Sequence, residues 1–287
     1  IIHYNFKKIN MKIYCYYKSG SHQESQIKNF VEGLKKHNIE CIEKTQFNPQ
    51  DDPDLAVFWS HRKLDIIQYM RKNNKPYIVM ERAFVGDRFH WSSIGFNGLN
   101  GRADFRNKDI VDISRWNKHF EHLYPKLPHN PNSNKVLVIG QVMTDAAVAH
   151  VDINKWYSNT IHQLNQMGYD VIFRPHPLNK CHWENNKLKY TIDKHNDCID
   201  TFKTSDLKFA VTFSSNSGVL SILHGIPTVS IDEGSMIYDI TSHDISNPTY
   251  PGDEMLTQWK ARLAYTQWSP DEIKRGDFYD HIFKGLK

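Results

Sequence analysis

Ser214, Ser215 and Ser217 lie between an apolar run at 209–213 and a stretch of helical period, and a second apolar run follows at 228–231. That order predicts strand, short polar loop, helix and strand. Hydroxyls in such a loop do one of two things: they cap the helix, or they join its unpaired N–H groups and dipole in holding an anion such as a diphosphate. Arg174 and His176 stand in the run Arg174-Pro175-His176-Pro177, directly after an apolar stretch at 170–173. Two prolines fix the histidine backbone, which either aims an imidazole and a guanidinium at a phosphate or makes a rigid turn without chemistry. Asp232 and Glu233 close the strand expected at 228–231 and can accept hydrogen bonds from a ribose or sugar hydroxyl.

A second group of reactive side chains falls in 81–105, ERAFVGDRFHWSSIGFNGLNGRADF. Length, glycines and aromatic content together predict a long functional loop at the wall of a site. Glu81 and Asp87 are the carboxylates suited to take a proton from an acceptor hydroxyl. Arg82, Arg88 and Arg102 either hold phosphate or pair with those carboxylates to brace the loop.

These residues need a scaffold, and the apolar pattern supplies one. Strands are expected at 12–17, 39–43, 55–59 and 77–80, and helices at 23–37 and 64–73. The run 125–134, PKLPHNPNSN, reads as a linker. A helix is expected at 111–123 before this linker, and alternation resumes after it with strands at 135–139 and 170–173 and helices at 153–167, 198–205, 254–264, 270–275 and 277–286. Such alternation predicts open, mostly parallel sheets whose ligands gather at the carboxyl ends of the strands. The expected domains are 11–124 and 135–287, with residues 1–10 as a leader before Met11. Trp259 and Trp268 are expected in the core.

The 287 residues carry a net charge of +4 with 39% hydrophobic residues, a globular composition. Residues 1–130 hold 21 Lys and Arg against 14 Asp and Glu, while 131–287 hold 15 against 18, giving +7 and −3. The first half therefore suits a polyanion, unless its charge is an ordinary solvated surface. No apolar run approaches the roughly 18 residues of a membrane span. Cys15, Cys41, Cys181 and Cys198 lack metal spacing and read as free thiols in a reducing cytoplasm. There is no GxGxxG after a strand, no Walker lysine loop and no HExxH; the nearest acidic cluster, Asp51-Asp52-Pro53-Asp54, reads as a loop.

Three stretches of the second half, VLVIGQVMTDAAV at 136–148, VIFRPHP at 171–177 and VTFSSNSGVLSILHGIPTV at 211–229, resemble the capsule-polysaccharide group of glycosyltransferases, which includes bacterial Kdo transferases of the GT-B fold. The resemblance implies donor-binding roles for Gln141, Asp145, Arg174, His176, Ser214, Ser215 and Ser217. It departs from the group at Leu220, where an acidic residue is frequent. The 81–105 segment and the tail at 263–276 are similar to short phage-type proteins, some of whose relatives glycosylate hydroxymethylated pyrimidines in viral DNA.

What these resemblances imply is an α/β chain of two Rossmann-like domains facing a cleft, the GT-B type. A nucleotide-sugar donor, expected to be a UDP-sugar, binds the second domain with no essential metal. The first domain presents the acceptor, most simply a hydroxymethyl pyrimidine in phage DNA, with Glu81 or Asp87 as base. Trp91 and Phe96 are candidates to fill the gap left by an extruded base. Alternatives are a capsule or surface-glycan glycosyltransferase, a nucleotide-sugar epimerase and a non-catalytic DNA-binding protein. No protein partner is implied, and the expected location is cytoplasmic, that of a bacterial host if the chain is phage-encoded.

Overall fold

A computed structural model describes residues 11–179 and 183–283. The expected leader, Cys181 and the end of the last expected helix lie outside them. In chain order the elements are β1 (Ile13–Tyr16), α1 (His22–Lys36), β2 (Cys41–Lys44), β3 (Leu55–Trp59), α2 (Leu64–Lys72), β4 (Tyr77–Arg82), β5 (Ser92–Phe96) and α3 (Ser114–His119). There follow β6 (Lys135–Ile139), α4 (Ile153–Gln166), β7 (Asp170–Arg174), β8 (Thr191–Ile192), α5 (Cys198–Thr204), β9 (Leu207–Thr212), α6 (Ser217–Leu223) and β10 (Thr228–Ser230). The chain closes with α7 (Asp253–Ala264), β11 (Gln267–Trp268), α8 (Pro270–Arg275) and α9 (Tyr279–Ile282).

The chain divides into two compact units. Among the described residues the first holds 11–99, 103–116 and 260–283, and the second holds 100–102 and 117–259. The first unit has a six-stranded sheet in the order β11-β5-β4-β3-β1-β2, parallel from β4 to β2 and antiparallel at β5 and β11. Strand alternation sends Ile13 and Cys15 to one face, with Leu55, Val57, Trp59 and the α1 residues Ile27, Phe30 and Leu34. Tyr14, Tyr16, Ala56 and Phe58 face the other way, against Ile66, Ile67 and Met70 of α2. The second unit has a wholly parallel five-stranded sheet, β10-β9-β6-β7-β8. Its central strands β6 and β9 are buried on both faces, which explains the unbroken apolar runs Val136–Ile139 and Phe209–Val211.

Two features differ from the sequence reading. The 81–105 segment is no long loop, because β4 continues to Arg82 and β5 returns antiparallel to it, with Glu81 opposite Ser93. The tail at 260–283 packs in the first unit, whereas the sequence reading groups it with the second. Ile273, Phe278, Ile282 and Phe283 complete the α1 face of the core, and the Phe30 and Phe278 rings stack at 4.6 Å. The start of α8 is fixed by a capping box in which Ser269 and Glu272 satisfy each other's backbone N–H.

The same unit joins the 81–105 segment to the tail. Gln267 is fully buried; its side-chain Oε1 accepts from the Phe84 and Val85 N–H groups at 3.0 and 3.2 Å, and its side-chain amide N–H donates to the Val85 carbonyl at 2.8 Å. Arg115 makes a two-pronged ion pair with Glu272 at 2.6 and 2.9 Å and lies over the Trp268 ring. Burial raises the Glu272 carboxyl, and its hydrogen bonds to Arg115 and Ser269 outweigh that and hold it below its ordinary value. Trp259 and Trp268 are buried as expected.

Candidate functional site

In the second unit the carboxyl ends of β6, β7 and β9 bring Gln141, Arg174, His176 and the serine loop together, whereas Asp145 makes only local contacts. After β6, Gly140 donates its N–H to the Arg174 carbonyl at 2.8 Å, and a side chain there would strike that carbonyl. Gln141 is buried and binds both sides. Its backbone N–H donates to the Tyr157 phenol at 2.8 Å, and its side-chain oxygen accepts from the Ser214 N–H at 2.7 Å. Its amide also donates to the Ser214 hydroxyl at 3.2 Å. Gln141 thus locks the end of β6 to the loop after β9. Burial pushes the Tyr157 phenol up to about 12, so it stays a neutral partner.

The serine loop is partly self-satisfied. Ser215 donates its N–H to the Thr212 hydroxyl at 2.9 Å, and its own hydroxyl accepts from the Ser217 N–H at 3.3 Å. Asp145 caps a short 3-10 turn by accepting from the Ala147 N–H at 3.0 Å.

Arg174 is 7% exposed and its guanidinium is engaged inside the unit. It pairs with Asp193 at 2.5 Å and donates to the Thr201 hydroxyl and to the His195 and Asn196 carbonyls at 3.0–3.1 Å. Arg174 therefore braces the loop after β8 against α5. Burial raises the Asp193 carboxyl, but hydrogen bonds from Thr201, Arg174 and His195 outweigh it and keep it low. His176 accepts the Leu178 N–H on Nδ1 at 3.1 Å, which in the neutral ring assigns the proton to Nε2. Gly140, Arg174, His176, Cys198 and Ser217 line a cleft of about 110 Å³.

Asp232, after β10, is buried and accepts three hydrogen bonds: from Arg102 at 2.7 Å, from His150 at 3.1 Å and from the Gly234 N–H at 2.9 Å. Burial raises this carboxyl, while the Arg102 and Gly234 hydrogen bonds outweigh it and hold it below its ordinary value. Arg102 also reaches Glu233 at 3.4 Å. Residues 100–102 belong to the second unit, so Arg102, expected on the acceptor side, pairs with Asp232 and Glu233 there and not with Glu81 or Asp87.

The remaining expected residues are in the first unit. Phe96 is 1% exposed in the core between β4 and the tail, so it is a packing residue and not available to a nucleic acid. Trp91 lies under Arg115, at 5.7 Å from its guanidinium. Arg88 donates to the Ala83 carbonyl at 2.8 Å, and Arg82 lies 4.1 Å from the centre of the exposed Phe89 ring. Asp87 accepts from the Phe89 N–H at 2.9 Å and shapes the turn between β4 and β5. Glu81 is at the end of β4, where its carbonyl accepts from the Ser93 hydroxyl.

Sequence reasoning missed Asp193, Thr201 and His150. Asp193 follows a strand of two residues, too short to show a period, and His150 meets Asp232 only through the fold. Among the described residues no group of three or more His, Cys, Asp or Glu side chains is placed to hold a metal ion, and no helix is long and apolar enough to cross a membrane.

No protein-family model matches this sequence, and a search of curated proteins found no match. Solved structures do resemble the chain. The β-Kdo 2,7-transferase of KpsC from Thermosulfurimonas dismutans is 13% identical, with a TM-score of 0.57 over 93% of this chain and 98% of that one. The β-Kdo 2,4-transferase of KpsC from the same organism is 14% identical, with a TM-score of 0.55 over 88% and 90%. The fold is thus the α/β fold of these transferases, two Rossmann-like domains of the GT-B type.

Proposed function

We propose that this chain is a glycosyltransferase that moves a sugar from a nucleotide-sugar donor to a saccharide hydroxyl. The observation that carries the reading is the convergence of Gly140, His176 and Ser217 on one cleft at the carboxyl ends of a parallel sheet. Open α/β sheets bind nucleotides at that edge. The donor phosphate lies there, where the His176 Nε2–H and the Ser217 hydroxyl offset the charge that grows as the nucleotide leaves. Arg174 acts through position, by holding the cleft wall. Asp232, held by Arg102 and His150, follows β10 at the same edge of the sheet and offers an acceptor for a ribose or sugar hydroxyl.

In the transfer, the acceptor oxygen bonds to the anomeric carbon and the bond from that carbon to the phosphate oxygen breaks. The acceptor proton passes to a base, for which Glu81 and Asp87 are the candidates, and the electron pair leaves with the nucleotide.

A saccharide acceptor is favoured over a hydroxymethyl pyrimidine in DNA by the burial of Phe96 and the packing of Trp91 under Arg115, which use both aromatics expected to enter a base stack. The likeness in fold to two Kdo transferases supports the same choice. The test is incubation with UDP-sugars and nucleoside-monophosphate sugars, and with oligosaccharides or hydroxymethylated DNA as acceptors, read by product mass and released nucleotide. A glycosylated oligosaccharide is expected. A sugar mass on a nucleoside would transfer the reading to DNA, and an isomerised donor without any acceptor would make the chain an epimerase.

A further inference from the structure

The first unit contains a second cleft, of about 360 Å³, at the end of its sheet. β1 lies between β2 and β3, and the helices that follow β1 and β3 pack on opposite faces. A crevice at the carboxyl ends of the strands follows from that reversal. Tyr16, the last residue of β1, lines it; this side chain is 2% exposed and its phenol oxygen has no hydrogen-bond partner. A buried hydroxyl left unpaired is a cost that a native fold keeps for a reason. Phe47 stands edge-on to Tyr16 at 5.8 Å and is held there by Tyr69 at 5.3 Å. Thr45, Gln46, Lys63 and Asp65 complete the lining with polar groups.

We propose that this cleft binds a saccharide ring, and that it holds the acceptor sugar; the second clause rests on the glycosyl-transfer reading. Aromatic side chains suit the C–H faces of a pyranose. Each sugar hydroxyl both donates and accepts, and the lining supplies both: Lys63 donates, Asp65 accepts, and Thr45 and Gln46 do either. The volume falls in the range of small-molecule pockets, about 300–1,000 Å³. Lys63 and Asp65 cancel in charge, and a carboxylate in the lining works against a phosphodiester backbone. The chemistry therefore favours a sugar over a nucleic acid.

The experiment is saturation-transfer NMR and calorimetry on the full chain. The probes are hexoses, N-acetylhexosamines, 6-deoxyhexoses and carboxylated sugars, as mono- and disaccharides, with a hydroxymethylated DNA duplex as competitor. At least one saccharide binds, and Asp65→Asn and Tyr16→Phe each weaken it roughly tenfold while nucleotide binding is unchanged. Tyr16→Phe removes an unpaired hydroxyl, so its melting temperature is equal or higher. Absence of binding by every saccharide, or binding that neither variant alters, overturns the inference. So does DNA binding that Lys63→Gln abolishes. Saccharide binding without transfer from any nucleotide sugar would overturn the reaction and leave the cleft; transfer with an acceptor KM unmoved by Asp65→Asn and Tyr16→Phe would do the reverse.

Discussion

Arg102 and Asp232, 130 residues apart, form an ion pair at 2.7 Å inside the second unit, and the Gly101 N–H donates to the Gly234 carbonyl at 3.0 Å alongside it. The Arg102 side chain is 35% exposed, whereas Asp232 is 8% exposed. Removing the cation leaves a buried carboxylate with only His150 and one N–H. Arg102→Met is expected to cost about 1–2 kcal/mol, a figure kept low by solvent screening of the exposed arginine. Asp232→Asn restores part of that loss in the double variant. A double-mutant cycle on chemical denaturation checks this, and additive losses would mean that the pair does not couple.

Arg174 and His176 are neighbours in sequence with opposite expected behaviour. Arg174→Ala strands the buried Asp193 charge and is expected to cost about 3–5 kcal/mol, read as a large fall in melting temperature. Arg174→Lys does not rescue it, because one ammonium cannot reproduce the contacts to Asp193, Thr201 and two carbonyls. His176→Ala is expected to cost far less stability than Arg174→Ala and to weaken donor binding more than tenfold. Equal effects of the two alanines on melting would contradict this division.

Gly33 lies where α1 meets α8, and a Cβ built there would meet the Phe278 ring at 2.8 Å as well as the Ile273 carbonyl. Gly33→Ala is expected to cost about 1–3 kcal/mol by overpacking, against the small gain in helix propensity. Thermal melting of this variant measures how firmly the tail belongs to the first unit. An unchanged or higher melting temperature would mean that the tail is loosely held.

Glu272 has a lowered folded-state value, so its contribution is fully present above the unfolded value of about 4.3 and is lost as pH falls through the folded one. Asp193 and Asp232 have the same sign. Stability is expected to fall from about pH 4 downward. Glu272→Gln flattens that limb and lowers stability at neutral pH. A variant with the wild-type acid slope would show that the Arg115 pair is not responsible.

Much of the fold was legible because buried parallel strands leave uninterrupted apolar runs. The spans expected at 55–59 and 135–139 coincide with β3 and β6, and the helix at 270–275 is α8, marked by its serine cap and proline. β5 was not legible: Ser92-Ser93-Ile94-Gly95-Phe96 has weak strand propensity, and its pairing with β4 and β11 is set by tertiary contacts. The tail was misassigned because its partners on α1 lie more than two hundred residues earlier. Arg102 and Arg174 were recognised as charges near a site, but their partners, Asp232 and Asp193, were fixed only by packing.

The measurement that tests the central claim most directly compares wild type and His176→Ala in one reaction, with nucleotide sugar, oligosaccharide acceptor and quantified release of nucleotide. The wild type is expected to release nucleotide in step with glycosylated product, and His176→Ala to lose more than about tenfold while it still melts cooperatively above the assay temperature. Equal rates in the two proteins, or nucleotide sugar consumed identically without an acceptor, would contradict the account.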